Sequence, residues 1–282
     1  MPPRMFRNIG FDAVIACATI ASMVYYSMTV LWPTILQTVF SASVTQVGWQ
    51  SSVVGGGVLL GQTLAGFGIS YVPRTKIQCI VAASLMFAFF TALSAIEPSR
   101  LAMTIAFGVL GCTAVGYLEN ITFPGVTLLW EPQDIGLATG VLGSIRGLGG
   151  AVAQALYTSI YSNKLGDYVP RYVTPAATSA GLPSSSLPAL FKGIAAGGGD
   201  FAGVPGMTDR IRAAVGAALV RANTDSFRIV FYCTIPFSFI VLVAAMLVPN
   251  VEKYLTRNVA KRLQEKEFKR DLSAEAKGLE NA

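Results

Sequence analysis

The sequence predicts an all-α polytopic membrane protein, and three observations carry that expectation. Hydrophobic residues fill 53% of the 282 positions and charged residues only 13%, whereas soluble domains average about 25% charged. The mean hydropathy is +0.56. Six apolar runs, at about 11–36, 47–72, 77–96, 101–117, 135–161 and 230–248, are long enough to cross a hydrocarbon core, which takes roughly 20 helical residues.

The first run follows "MPPRMFRN". It is too long for the apolar core of a signal peptide and no small-residue cleavage site follows it, so it reads as a span. Its segment "VYYSMTVLWP" brings Tyr25, Tyr26 and Trp32, which fit either an aromatic cavity wall or an interfacial belt. The second run carries Gly57, Gly61, Ala65 and Gly68 on one face. The third follows the basic connection "VPRTK", and the fourth stops short of Glu119 and Asn120. In the fifth, Gly136, Gly140, Gly143, Gly147 and Gly150 fall within an arc of about 80°, with Gln154 on the same face. Small residues let helix backbones approach closely in lipid, where no hydrophobic force drives helices together. Both glycine faces therefore read as packing surfaces, either static or sliding, and bulk at Gly143 or Gly147 is expected to separate helices.

Arg146 lies at the flank of that arc. Counted from Ile135 it is roughly 17 Å deep, near the bilayer midplane. A charge there costs about 2.5–3.5 kcal/mol on insertion scales and faces a bundle interior or a wet cavity. Three readings stand: a structural pairing with carbonyls or a buried acid, a role toward substrate, anion or proton, or a span boundary that lies a turn or more away. Candidate acids are Asp12, Glu119, Glu131 and Asp134. Asn120 opens a glycosylation sequon, "NIT", which the orientation below makes an unused one.

Positive charge in short connections sets orientation. Arg4 and Arg7, the pair Arg74 and Lys76, and eight basic residues in the tail 251–282 fall on one side of a six-span chain. Both termini are thus expected in the cytoplasm. The long connection 162–229 is then extracellular, and charge in so long a segment carries little topological weight. Its first half is rich in Pro, Gly and Ser and reads as loop with a short helix near 186–194. Its second half, capped by Thr208, reads as an amphipathic helix with Ile211, Val215 and Leu219 at helical spacing. The tail reads as an interfacial or solvated helix. The domains expected are a bundle over 1–250 and a cytoplasmic tail over 251–282.

Several function classes drop out. The chain has no histidine, and its four cysteines (Cys17, Cys79, Cys112 and Cys233) stand singly inside expected spans. No metal site, cofactor or nucleophile–base constellation is expected, hence no enzyme. The net charge of +6 sits in flanks and connections of apolar helices, so nucleic acid is not an expected partner.

The segments "MVYYSMTVLWPTILQ", "VVGGGVLLGQ" and above all "ENITFPGVTLLWEPQDIGLATGVLGSIRGLGGAVAQALYTSI" resemble the C-terminal half of fungal transporters of the trichothecene efflux pump family, within the major facilitator superfamily. The resemblance runs from about Arg4 to Val251. It implies proton-coupled efflux of small hydrophobic molecules such as toxins or drugs, with siderophore–iron as the alternative substrate. Two six-helix bundles would surround a central cavity, here in the plasma membrane or a vesicle or vacuolar membrane. In that frame Tyr26, Gln62, Glu119, Arg146 and Gln154 are the cavity candidates, with the bilayer and a small-molecule substrate as partners. It also implies that the family's N-terminal bundle is missing from this chain. The chain is then either one half of a transporter that pairs with another half, or a non-transporting fragment or scaffold.

Overall fold

A computed structural model describes residues 6–72, 74–128, 134–196 and 203–250. Every described element is helical: α1 (Ile9–Thr38), α2 (Val44–Tyr71), α3 (Thr75–Leu93), α4 (Leu101–Leu128), α5 (Ile135–Ser179), α6 (Leu187–Ala195) and α7 (Asp209–Leu247), with a 3-10 turn at Ser184–Ser186 before α6. All but α6 are long and apolar enough to cross a membrane.

Local chemistry starts these helices. Asn8 caps α1, its side chain accepting from the Gly10 and Phe11 amides at 3.0 and 3.4 Å. Ser43 and Gln46 form a reciprocal capping box at the start of α2, which satisfies donors that would otherwise be orphaned. Thr208 Oγ1 accepts from the Ile211 amide at 3.3 Å and opens α7.

α1 is the buried centre, with 61% of its most apolar stretch inside the bundle, whereas α2 and α5 are each 22% buried. α1 packs on α7, α5 and α4, α2 packs on α4, and α3 packs on α4 and α7. The core runs from Phe11 through Trp32, Met86, Phe90 and Tyr157 to Phe231.

Three boundaries differ from those read in the sequence. α4 continues to Leu128 instead of stopping near 117, because Glu119 is paired inside the bundle and so does not end the span. α5 runs on through 162–179 as helix rather than loop, despite Pro170 and Pro175. At 45 residues it measures about 67 Å, more than twice a hydrocarbon core of about 30 Å. It ends where Gly181 takes φ +106°, and the Leu182 amide reaches back to the Ala177 carbonyl at 3.0 Å, the wrapped helix end that glycine permits. The segment from Asp209 and the last span are one continuous helix.

The protruding ends of α5 and α7 clasp a second, smaller core around α6, including Val173, Ala177, Leu190, Ile211 and Val215. Tyr161 donates to Asn223 at 2.7 Å and Tyr172 to Asp225 at 2.9 Å. Arg228 donates twice to the Ile96 carbonyl, at 2.9 and 3.1 Å, fastening this cap to the α3–α4 turn. The expected tail helix, 251–282, lies outside the described residues.

Candidate functional site

The site is built by α1, α2, α4 and α5 around one ion pair. Arg146 of α5 donates from a terminal guanidinium nitrogen to Glu119 Oε1 of α4. Its Nε donates to Ser22 Oγ of α1 at 3.0 Å. Ser22 in turn donates to the Ala18 carbonyl at 2.7 Å, so the guanidinium is tied to the α1 backbone through one hydroxyl. The Phe123 ring, one turn beyond Glu119, lies 5.4 Å from the Arg146 guanidinium carbon. The Gln62 side chain of α2 faces the Glu119 carboxylate.

Glu119 is the only buried acidic or basic residue among the described residues. Its side chain is 7% exposed and that of Arg146 is 28% exposed. A buried pair is costly to break from one side, about 3–5 kcal/mol, because the remaining charge is stranded. Arg146 is thus the open edge of the pair and Glu119 the closed one. Extension of α4 brings this about: Glu119 lies nine residues before Leu128, about 14 Å inside the helix end, level with Arg146.

The other candidates divide. Tyr26 lays its ring against Gly150 on the same side of α5 as Arg146. Gln154 is exposed and is not gathered into the pair. Of the acids weighed as partners, Asp12 sits in the first turn of α1, where a carboxylate complements the helix dipole. Asp134 precedes α5 without capping it, and Glu131 lies outside the described residues. Asn120 donates from Nδ2 to the Gln62 carbonyl at 2.7 Å. The sequon asparagine is therefore a link between α4 and α2 inside the bundle. Trp32 is fully buried and donates to the Gln50 carbonyl at 3.0 Å. With Tyr25, Pro33, Val54 and Gly55 it lines a recess of about 190 Å³ between α1 and α2.

The two glycine faces behave differently. A Cβ on Gly57 would meet Cys112 Cβ at 2.8 Å, and one on Gly61 would collide with the α4 backbone at Thr113 and Tyr117. A Cβ on Gly136, Gly140, Gly143 or Gly147, by contrast, would meet no described atom of another element within 4 Å. The expectation that these four pack the fifth helix is not met among the described residues. Gly136, Gly140, Gly143 and Gly147 are exposed, whereas Gly150, the last glycine of the stripe, is buried. α5 approaches α1 through Gly150 and through Gly149, where a Cβ would meet Thr19 at 2.6 Å. The sequence reading missed Gly149, which falls off the stripe by one position. It also missed Gly116, whose Cα faces the α2 backbone at Val58. The spacing Gly108, Gly111, Gly116 in the fourth run was the available signal.

Six apolar helices with an ion pair held across three of them at mid-depth define one bundle of a major facilitator-type membrane transporter. The fold agrees with a solved bacterial homologue of the human lysosomal transporter Spinster, captured inward-facing and occupied: TM-score 0.56, 18% identity, over 87% of this chain and 50% of that one. The model of the fungal trichothecene efflux pump family matches residues 1–277, and the chain belongs to that family. It is similar to the trichothecene efflux pump TRI12 of Fusarium sporotrichioides (24% identity over 94% of this chain and 45% of the relative). It is also similar to the MFS-type transporter prx5 of Penicillium rubens (28% over 87% of this chain and 45% of the relative). A third relative is the TRI12 pump of Trichoderma arundinaceum (22% over 89% and 43%). The chain thus spans about half the length of the curated relatives it matches.

Proposed function

We propose that this chain is the C-terminal bundle of a proton-coupled exporter of small hydrophobic molecules. In this reading the Arg146–Glu119 pair lines the central passage, and a second six-helix bundle docks on the open faces of α2 and α5. One observation carries it: a membrane-depth ion pair, partly open, sits beside a smooth small-residue face that no described residue covers. Alternating access needs such surfaces, since two bundles rock about a shared midplane site.

The residues take roles from their chemistry. Glu119 is the proton carrier, because it is the buried carboxylate within reach of the passage. Arg146 holds the empty carboxylate and is released when a proton takes its place. Ser22 and Phe123 keep the freed guanidinium from swinging away. Tyr25 and Tyr26 supply aromatic surface for an apolar cargo, which favours a hydrophobic molecule over a siderophore–iron complex. Gln62 and Gln154 are the polar positions on the two facing helices. Both termini lie in the cytoplasm and the α5–α6–α7 cap lies outside the plasma membrane.

The test pairs the chain with an N-terminal half from a family member and measures surface expression and efflux together. Arg146→Ala and Glu119→Gln are expected to abolish efflux of an apolar toxin per molecule at the surface, with fewer Arg146→Ala molecules reaching it because Glu119 is stranded. Full efflux by either variant would remove the pair from the mechanism. Efflux by the lone chain would mean that two copies supply both bundles. No efflux in any pairing would favour a non-transporting scaffold. For orientation, a cysteine at Ser184 is expected to react with an impermeant thiol reagent outside intact cells and one at Ser273 to stay unlabelled.

A further inference from the structure

The outer surface of α2, α3 and α4 carries a groove of about 460 Å³ that takes no part in the site above. Ile77, Val81, Leu85 and Phe89 form one wall along α3, with Leu64 of α2 and Val72 just past its end opposite, and Leu110, Thr113, Ala114 and Tyr117 of α4 lie between them. From Ile77 to Phe89 the wall is about 18 Å long, close to the roughly 15 Å hydrocarbon depth of one leaflet. Its few polar atoms are already engaged. Tyr117 donates to Gln78 Oε1 at 2.7 Å, and Gln78 Nε2 donates to the Gly68 carbonyl at 3.2 Å and to the Val72 carbonyl. The walls therefore offer a ligand shape and apolar contact and little hydrogen bonding. At the end marked by Val72 and Ile77 stand two cations, the exposed Arg74 and the half-buried Lys76. Neither makes an ion pair with a described residue.

An apolar slot one leaflet deep with two cations at its mouth matches one kind of molecule. We infer that the α2–α3–α4 groove is a binding site for an anionic glycerophospholipid, with one acyl tail along Ile77–Phe89 and its phosphate against Arg74 and Lys76. The tail leaves lipid to enter the groove, so hydrophobic transfer contributes little and the fit of the slot selects the molecule. The two cations select for negative charge, by about tenfold or more over a zwitterionic headgroup. The inference depends on the chain crossing a bilayer but not on its orientation or on transport.

The test uses the purified full chain and palmitoyl-oleoyl phosphatidylglycerol, with the matching phosphatidylcholine as the neutral comparison. Native mass spectrometry is expected to show the phosphatidylglycerol retained about tenfold more strongly. Arg74→Gln/Lys76→Gln should bring the two lipids level. Leu85→Trp, at an exposed position inside the groove, should weaken retention of phosphatidylglycerol, and Val81→Trp carries the same test should Leu85→Trp fail to fold. Val243→Trp, exposed on α7 outside the groove, should leave retention unchanged. A diazirine-tailed phosphatidylglycerol should label the Val81–Phe89 wall. Equal retention of both lipids by the unmodified chain, or indifference to the groove tryptophans, would overturn the proposal. So would competition by tail-less glycerol phosphate. If a cysteine at Leu85 cross-links two copies instead, the groove is a protein interface and the lipid proposal fails.

Discussion

α2 and α5 look alike as strings, since both stripe glycine along an apolar helix, and the structure uses them in opposite ways. On α2, Gly57 and Gly61 press against the backbone of α4, so the glycines are a condition of the fold. On α5, a Cβ on Gly136, Gly140, Gly143 or Gly147 would meet no described neighbour within 4 Å, and only the off-stripe Gly149 with Gly150 touches α1. Both helices are equally little buried, 22%, yet one spends its small face inside the bundle and the other outside it. Glycine spacing says that a close approach is possible, and the neighbouring side chains decide whether one occurs.

That contrast can be broken most forcefully at Gly61. Gly61→Leu would place side-chain atoms where the α4 backbone already lies. Rigid backbone cannot yield as a side chain can, so a loss at or above the roughly 3 kcal/mol upper range for overpacking is expected. The measurement is the yield of monodisperse protein in gel filtration. A normal yield would mean that α2 and α4 are not in contact as described.

Next in size is the inward flank of α5. Arg146→Met strands Glu119, with an expected cost of about 3–5 kcal/mol to the bundle. Glu119→Gln/Arg146→Met should recover most of it, read as a thermal midpoint in a double-mutant cycle. Strict additivity of the two single changes would show that the pair is not coupled. A folding loss here also separates the structural role of Arg146 from the transport role proposed for it, because the double variant restores folding without restoring a charge.

Gly150→Val should cost less, about 1–2 kcal/mol, since the Tyr26 ring it meets can turn aside by a rotamer change. Paired with Tyr26→Ala, the penalty should shrink, and thermal unfolding of the two variants checks it.

Smallest is Gly143→Leu. In the isolated chain it should lie within about 0.5 kcal/mol of the unmodified protein, as expected of a surface change that touches nothing. Co-purification with an N-terminal family half should fall in the same variant, because bulk on that face would keep the second bundle away. An effect on the lone chain as large as that of Gly61→Leu would erase the difference between the two helices.

Composition and run length were enough to establish a helical membrane bundle, because roughly twenty apolar residues must satisfy their own backbone hydrogen bonds in lipid and only a helix does so within one segment. Arg146 was recognisable as inward-facing for a similar reason: a guanidinium at mid-depth has few tolerable surroundings. The family was carried by the contiguous motif from Glu119 to Ile160. Sequence alone could not choose Glu119 over Asp12, Asp134 or Glu131 as the partner of Arg146. That choice depended on how far α4 continues past its carboxylate, and a hydropathy count stops at the charge that pairing neutralises. Nor could it show that α5 remains helical through Pro170 and Pro175, where packing of Val173 and Ala177 against the cap outweighs the lost backbone bonds. Which glycine face is closed and which open was likewise left to the tertiary structure, because periodicity describes one helix at a time and burial is a relation between two.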